Sequence, residues 1–277
     1  MIRISHYRSP EDVLRGLGID DPEEIWIEAI AEACQATVVY EAMEGAEARI
    51  IGFNDRAIIT VNESAPLERK RFSAGHELGH WMCDRGKISF SCSATTFAGE
   101  WSNENPERRA NRYAADLLLP DFMFVPRAKG LEITFTSVRS LAKLFKTSLV
   151  ATAIRLVELG SFPAMIVCSE PGHRKWFFRG PDVPDVLWPR DEPGRDTFAY
   201  DLLRGNQQEA GSVDIYADQW INHRDSRKYS LQEDSIRLGK TQLVLTLLWW
   251  KNEQQLLDID DENETWIAGV KFGIFNS

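Results

Sequence analysis

The chain reads as an α+β protein in two parts joined by a helical pair. Short β-prone runs lie between amphipathic helices over residues 1–136, a broken helical repeat follows over 137–160, and strand-like apolar runs dominate 161–277. With 277 residues, 43% of them hydrophobic, both parts have enough apolar side chains for packed cores.

The elements follow in order. Asp21-Pro22-Glu23-Glu24 is a helix start: a capping carboxylate, Pro at the first helical position and acidic residues at the positive end of the helix dipole. That helix is expected to run to about Cys34. Runs at 37–40, 48–53 and 57–61, broken by Glu44-Gly45 and Asn54-Asp55, predict a small antiparallel sheet. Helical periodicity returns over 66–84, and a polar loop at 86–104 leads to a helix opened by Asn105-Pro106 and closed before Pro120. Apolar repeats at Val138, Leu141, Leu144 and Phe145, then at Leu149, Ala153, Leu156 and Val157, predict two further helices, with Thr147-Ser148 as the break and new cap. Gly160 ends the pair. Beyond it AMIVCS, KWFFRG, VDIYAD and TQLVLTLLWW read as strands, so 161–277 is expected to be a separate α+β domain.

No run approaches the roughly 20 apolar residues that a membrane helix needs, so no membrane partner is expected. Cys34, Cys83, Cys92 and Cys168 lack CxxC spacing, which speaks against a disulfide framework and suits a reducing cytoplasm. The net charge of -10 is uneven, because residues 69–160 carry 14 Lys/Arg against 9 Asp/Glu. Within that stretch Arg69, Lys70, Arg71, Arg108, Arg109, Arg112, Lys143 and Lys146 form either a phosphate-binding surface or ordinary solvated helix faces.

The chemistry concentrates in HELGH. His76 and His80 are four residues apart on a helix, one turn along and about 40° around its axis, so both rings can reach one ion. Two imidazoles and a carboxylate leave an open position for water, and the adjacent Glu77 accepts its proton as the water attacks a peptide carbonyl. Chance alone would place such a pattern in roughly one chain in a hundred of this composition, so the motif needs support. It comes from the helix after Pro106, where Ala110, Tyr113, Ala114, Leu117 and Leu118 form an apolar face, and one turn back along that face stands Glu107. A buried carboxylate there needs neutralising, and a metal does so; otherwise Glu107 merely favours the helix dipole. Asn111, one turn on, is placed to orient His76 as an outer partner, and Asp84 is a second candidate for that work. Two imidazoles and one carboxylate favour Zn2+, although spacing leaves manganese and iron open.

The segments RFSAGHELGHWM, ERRANRYAADLLLP and LAKLFKTSLVATAIRLVELG, in that order, resemble the ImmA/IrrE-type metallopeptidases over residues 20–160. The resemblance implies a minimal zincin-like domain with a gluzincin-like HExxH...E site, in which His76, His80 and Glu107 bind zinc and Glu77 is the base. It implies a substrate, a helix-turn-helix (XRE-like) repressor whose cleavage releases phage, mobile-element, radiation-response or CBASS-type antiphage genes. It also implies a GAF-like sensor domain in the position of 161–277. Tyr113 stands where such proteins commonly have phenylalanine.

A repressor-cutting enzyme needs an off state. Cys92, in the loop between the ligand helices, is a candidate inhibitory zinc ligand, with Cys83 the other nearby thiol; both also read as small buried hydrophobes. The pair of helices at 137–160 resembles a helix-turn-helix, but its second helix offers only Arg155, beside Glu158, which argues against specific base reading. The aromatic and basic residues of RKWFFRG suit either base stacking, with single-stranded DNA as the activating signal, or an amphipathic strand. The rival functional reading is a regulator that binds a repressor or DNA without cutting, its metal serving only as structural support.

Overall fold

The structure is a computed structural model that describes residues 9–84, 90–92, 105–205, 209–239 and 241–257. By internal contacts the chain divides into two compact units, Met1–Arg127 with Ser140–Thr152, and Ala128–Arg139 with Ala153–Ser277. The division passes through the two helices of the 137–160 segment, leaving part of each in either unit.

In the first unit Ser9 and Asp12 form a capping box that opens α1 (Pro10–Leu17). The helix expected from Pro22 is interrupted. Pro22–Glu24 is a single 3-10 turn, Ile25 and Trp26 are out of helical conformation, and α2 (Ile27–Ala33) starts afresh. The Ile25 carbonyl is taken by the buried Arg71 guanidinium at 2.9 Å instead of by a helical N–H, which accounts for the break. Arg71 also donates to the Phe145 carbonyl at 3.0 Å, so this basic residue is an internal staple rather than part of a surface.

Strands β1 (Ala36–Glu41), β2 (Ala48–Phe53), β3 (Arg56–Asn62) and β4 (Phe90–Cys92) form one sheet in the order β1-β3-β2-β4. The sheet is mixed, not antiparallel throughout as expected: β1 runs parallel to β3. A tight turn with Asn54 at φ 53° closes the β2–β3 hairpin, leaving the far edge of β3 for β1. The parallel register sets Ala36 and Val38 beside Ala57 and Ile59 on the inner face. Against that face packs α3 (Leu67–Cys83), which is buried almost all round over residues 73–82.

Asn105 caps α4 (Pro106–Leu118), its side chain accepting from the Glu107 N–H at 2.9 Å. Helices α3 and α4 touch closely because residue 79 is glycine: a Cβ there would lie 2.9 Å from the Ala110 Cα. Next come α5 (Asp121–Ala128), α6 (Phe135–Phe145) and α7 (Leu149–Leu159). Lys146, at φ 53°, makes the turn before Ser148, whose hydroxyl accepts from the Ala151 N–H at 3.2 Å as the expected cap. Arg155 is 2% exposed and bound to Glu158 at 2.7 Å, so it is not presented to bases.

The second unit contains β5 (Ala164–Glu170), β6 (His173–Arg179), α8 (Phe198–Arg204), β7 (Glu209–Tyr216), β8 (Ser230–Arg237) and β9 (Val244–Trp249). The strands form an antiparallel sheet in the order β6-β5-β9-β8-β7. Its central strands β5 and β9 are buried along nearly their whole length, which is why they read as unbroken apolar runs. Leu202 of α8, with Trp220, Val183 and Leu187, packs with Met165, Val167 and Leu248 in one core cluster. Strand β8 went unanticipated because Gln232, Glu233, Asp234 and Ser235 are polar yet buried. Glu233 Oε1 accepts from the Ala199 N–H and the Ser235 hydroxyl, both at 2.8 Å, and Asp234 accepts from the Phe135 N–H at 2.7 Å. No helix among the described residues is long and apolar enough to cross a membrane.

Candidate metal centre

The centre lies wholly in the first unit, where α3 and α4 face each other. One turn of α3 carries His76 and His80, and the first turn of α4 brings Glu107 to them. His76 Nε2 is 3.2 Å from Glu107 Oε2, His80 Nε2 is 3.4 Å from Glu107 Oε1, and the two Nε2 atoms are 3.1 Å apart. One ligand atom from each of the three residues fits within a span of 4.8 Å. Glu77, between the histidines in sequence, is fully buried.

The electrostatics favour neutral rings. Burial holds the His76 imidazole below its ordinary pKa, against the pull of Glu107. Burial, then the neighbouring His76, pushes His80 down to about 4. Asn111 Oδ1 lies 2.9 Å from His76 Nδ1; an amide oxygen accepts, so Nδ1 carries the proton and Nε2 turns a lone pair inward. A lone pair, a second ring nitrogen and a carboxylate aimed at one point are held together either by a proton on His80 Nε2 or by a cation among them. The donor set therefore fits a small divalent ion, with His76, His80 and Glu107 as its holders.

Asp84 caps the C-terminus of α3, with one carboxylate oxygen 3.9 Å from His80 Nδ1 and the other 2.5 Å from Arg109. The sequence places Arg109 only in a basic set that is either a phosphate-binding surface or solvated helix faces, whereas the structure sets it against Asp84. Its position two residues past Glu107 was the available signal. Arg69 and Arg112 of that same surface are paired with Glu47 and Asp116.

Tyr113 is buried on the apolar face of α4. Cys83 is half-buried, and burial followed by the charge of Asp84 raises its thiol pKa, so it stays protonated. The backbone of Cys92 ends β4 opposite Ala48, in a strand rather than in the expected loop. Its side chain lies outside the described residues.

Residues 31–157 match the family profile of the IrrE N-terminal-like domain. This segment is a domain of the ImmA/IrrE type. The domain takes in β1 through most of α7 and holds every residue of the centre. Across 193 residues the chain is 23% identical to the radiation response metalloprotease IrrE of Deinococcus radiodurans, a match over 64% of this chain. It spans 59% of that relative's length. A solved structure described as a Mycobacterium tuberculosis transcriptional regulator superposes with a TM-score of 0.55 at 15% identity, covering 87% of this chain and 73% of that one, a likeness of fold.

Proposed function

We propose that this chain is a zinc-dependent endopeptidase that cleaves a partner helix-turn-helix, XRE-like repressor and so releases stress, DNA-damage or phage-defence genes. The observation that carries the proposal is the convergence of His76, His80 and Glu107 beside the buried Glu77. When bound, zinc supplies Lewis acidity here, polarising a carbonyl and acidifying water. Asn111 holds His76 in the tautomer that offers Nε2 inward. Glu77 takes the proton from the attacking water and passes it to the leaving amine nitrogen, which makes it the residue on which turnover depends.

Support for the sensor reading of the second unit comes from Trp188, which is 52% exposed with the Arg179 guanidinium 5.3 Å over its ring. It borders an open pocket of about 510 Å³ shared with Arg174, Arg190 and Asn222 and with the acidic Asp191 and Glu192. The exposed indole offers a face for base stacking, in keeping with single-stranded DNA as activator and with a sensor role, while Arg174, Arg179 and Arg190 are engaged by Asp191, Asp185 and the Asp218 carbonyl.

Glu77→Gln preserves the shape of the side chain and removes the base. The variant is expected to keep its metal and its fold and to lose cleavage of the co-encoded repressor. Full biological effect in that variant would favour the non-cleaving regulator instead.

A further inference from the structure

We infer that Arg109 is a positioning residue of the metal centre, acting on His80 through Asp84. The inference rests on the metal-binding reading given above. Asp84 closes α3 by donating its own N–H to the His80 carbonyl at 2.9 Å, so its backbone is fixed relative to that ring. Its side chain is only 4% exposed. A carboxylate buried to that degree needs a partner for its charge, and Arg109 meets it from the neighbouring helix at 2.5 Å.

The contact selects an orientation. With Oδ1 engaged by Arg109, Oδ2 is left 3.9 Å from His80 Nδ1 and has no hydrogen-bond partner among the described residues. At 3.9 Å the contact is longer than a hydrogen bond, but a negative charge on that side favours the proton on Nδ1, so the lone pair of Nε2 faces His76 and Glu107. The same ion pair ties the C-terminal end of α3 to the first turns of α4, which carry Glu107. Arg109 therefore acts on two ligands at once: on the ring orientation of His80 and on the distance between the helices that His80 and Glu107 stand on.

The test is a double-mutant cycle on zinc affinity, read by competition with a chromogenic chelator on the full chain. Arg109→Gln and Asp84→Asn are each expected to weaken zinc binding about tenfold, at the low end for groups that orient ligands. The double variant is expected to be no weaker than either single, because the two act as one unit. Arg109→Lys, which keeps the charge, is expected to recover most of the affinity, whereas a residue that merely stabilises the helix end would not follow charge in this way. Circular dichroism of all four variants checks that they are folded. Affinities within twofold of the wild type in both single variants, or losses that add in the double, would overturn the inference and leave the centre standing. Wild-type protein that binds no zinc would overturn the centre, and this inference with it.

Discussion

Gly79 on α3 and Ala110 on α4 approach so closely that a methyl group at position 79 would sit 2.9 Å from the Ala110 Cα and 3.0 Å from its carbonyl oxygen. Backbone atoms cannot step aside as a flexible side chain can, so the space between the ligand helices is set by the absence of a Cβ at one residue. Gly79→Ala should push α4 outward and take Glu107 with it. Because the clash is with backbone, the cost belongs at the upper end of the about 1–3 kcal/mol range for overpacking, and the helix-propensity gain of about 1 kcal/mol offsets only part of that. The expected result is a lower melting temperature together with weaker zinc binding, measured by thermal unfolding with and without metal. Unchanged affinity would mean that the spacing does not control the site.

Asn111 is the only described partner of His76 outside the ligand set whose contact is a close hydrogen bond. Replacing it with Ala frees the ring to rotate and to exchange tautomers. Zinc affinity is expected to fall 10- to 100-fold with little change in the stability of the metal-free protein. Chelator competition and denaturant melts on the same preparation separate the two effects.

The metal-free protein should lose stability in acid by a route that the site predicts. His80 sits at about 4 in the folded chain against an ordinary value of 6.5, and burial lowers His76 as well. The unfolded chain therefore binds protons first as pH falls. The contribution is fully present above 6.5 and declines between 6.5 and about 4. Urea unfolding at pH 7, 6 and 5 should show a decline in the wild type that is reduced in His80→Asn. Parallel curves for the two proteins would contradict the assignment.

In the second unit Glu233 joins β8 to α8 by accepting the Ala199 N–H, and it shares Ser235 in the same buried network. Glu233→Ala would leave the Ala199 N–H without its acceptor and the Ser235 hydroxyl with Thr246 alone, 2.8 Å away, in a core that excludes water. The expected loss is about 2–4 kcal/mol of unfolding free energy, read from denaturant melts. A loss below 0.5 kcal/mol, roughly the scale of an ordinary surface substitution, would show that water replaces the carboxylate.

What could be read from the chain beforehand depended on whether local pattern and tertiary role agreed. His76 and His80 lie one helical turn apart, and Glu107 is an acid in line with an apolar face, so spacing marked the three residues that converge here, while the role of Glu77 rests on its place in HELGH. Asn111 followed from the next turn of the helix that carries Glu107. Arg109 was hidden because its partner, Asp84, is 25 residues away and because neighbouring arginines made it look like part of a basic surface. Strand β8 was hidden for a related reason: buried polar residues whose partners are backbone N–H groups of distant elements, Ala199 for Glu233 and Phe135 for Asp234, carry no hydrophobic signature. The interruption at Ile25 depends on Arg71, 46 residues away, and the parallel placement of β1 depends on which edge of the β2–β3 hairpin remains free. Neither is a local property.

The shared grip of α3 and α4 on a single ion is tested most directly by metal content at equilibrium. Wild-type protein and Glu77→Gln, dialysed against trace zinc and analysed by plasma mass spectrometry, are expected to hold one zinc per chain, and Glu107→Gln and His76→Ala are expected to hold far less. Glu107→Gln protein that retains a full equivalent would contradict the account.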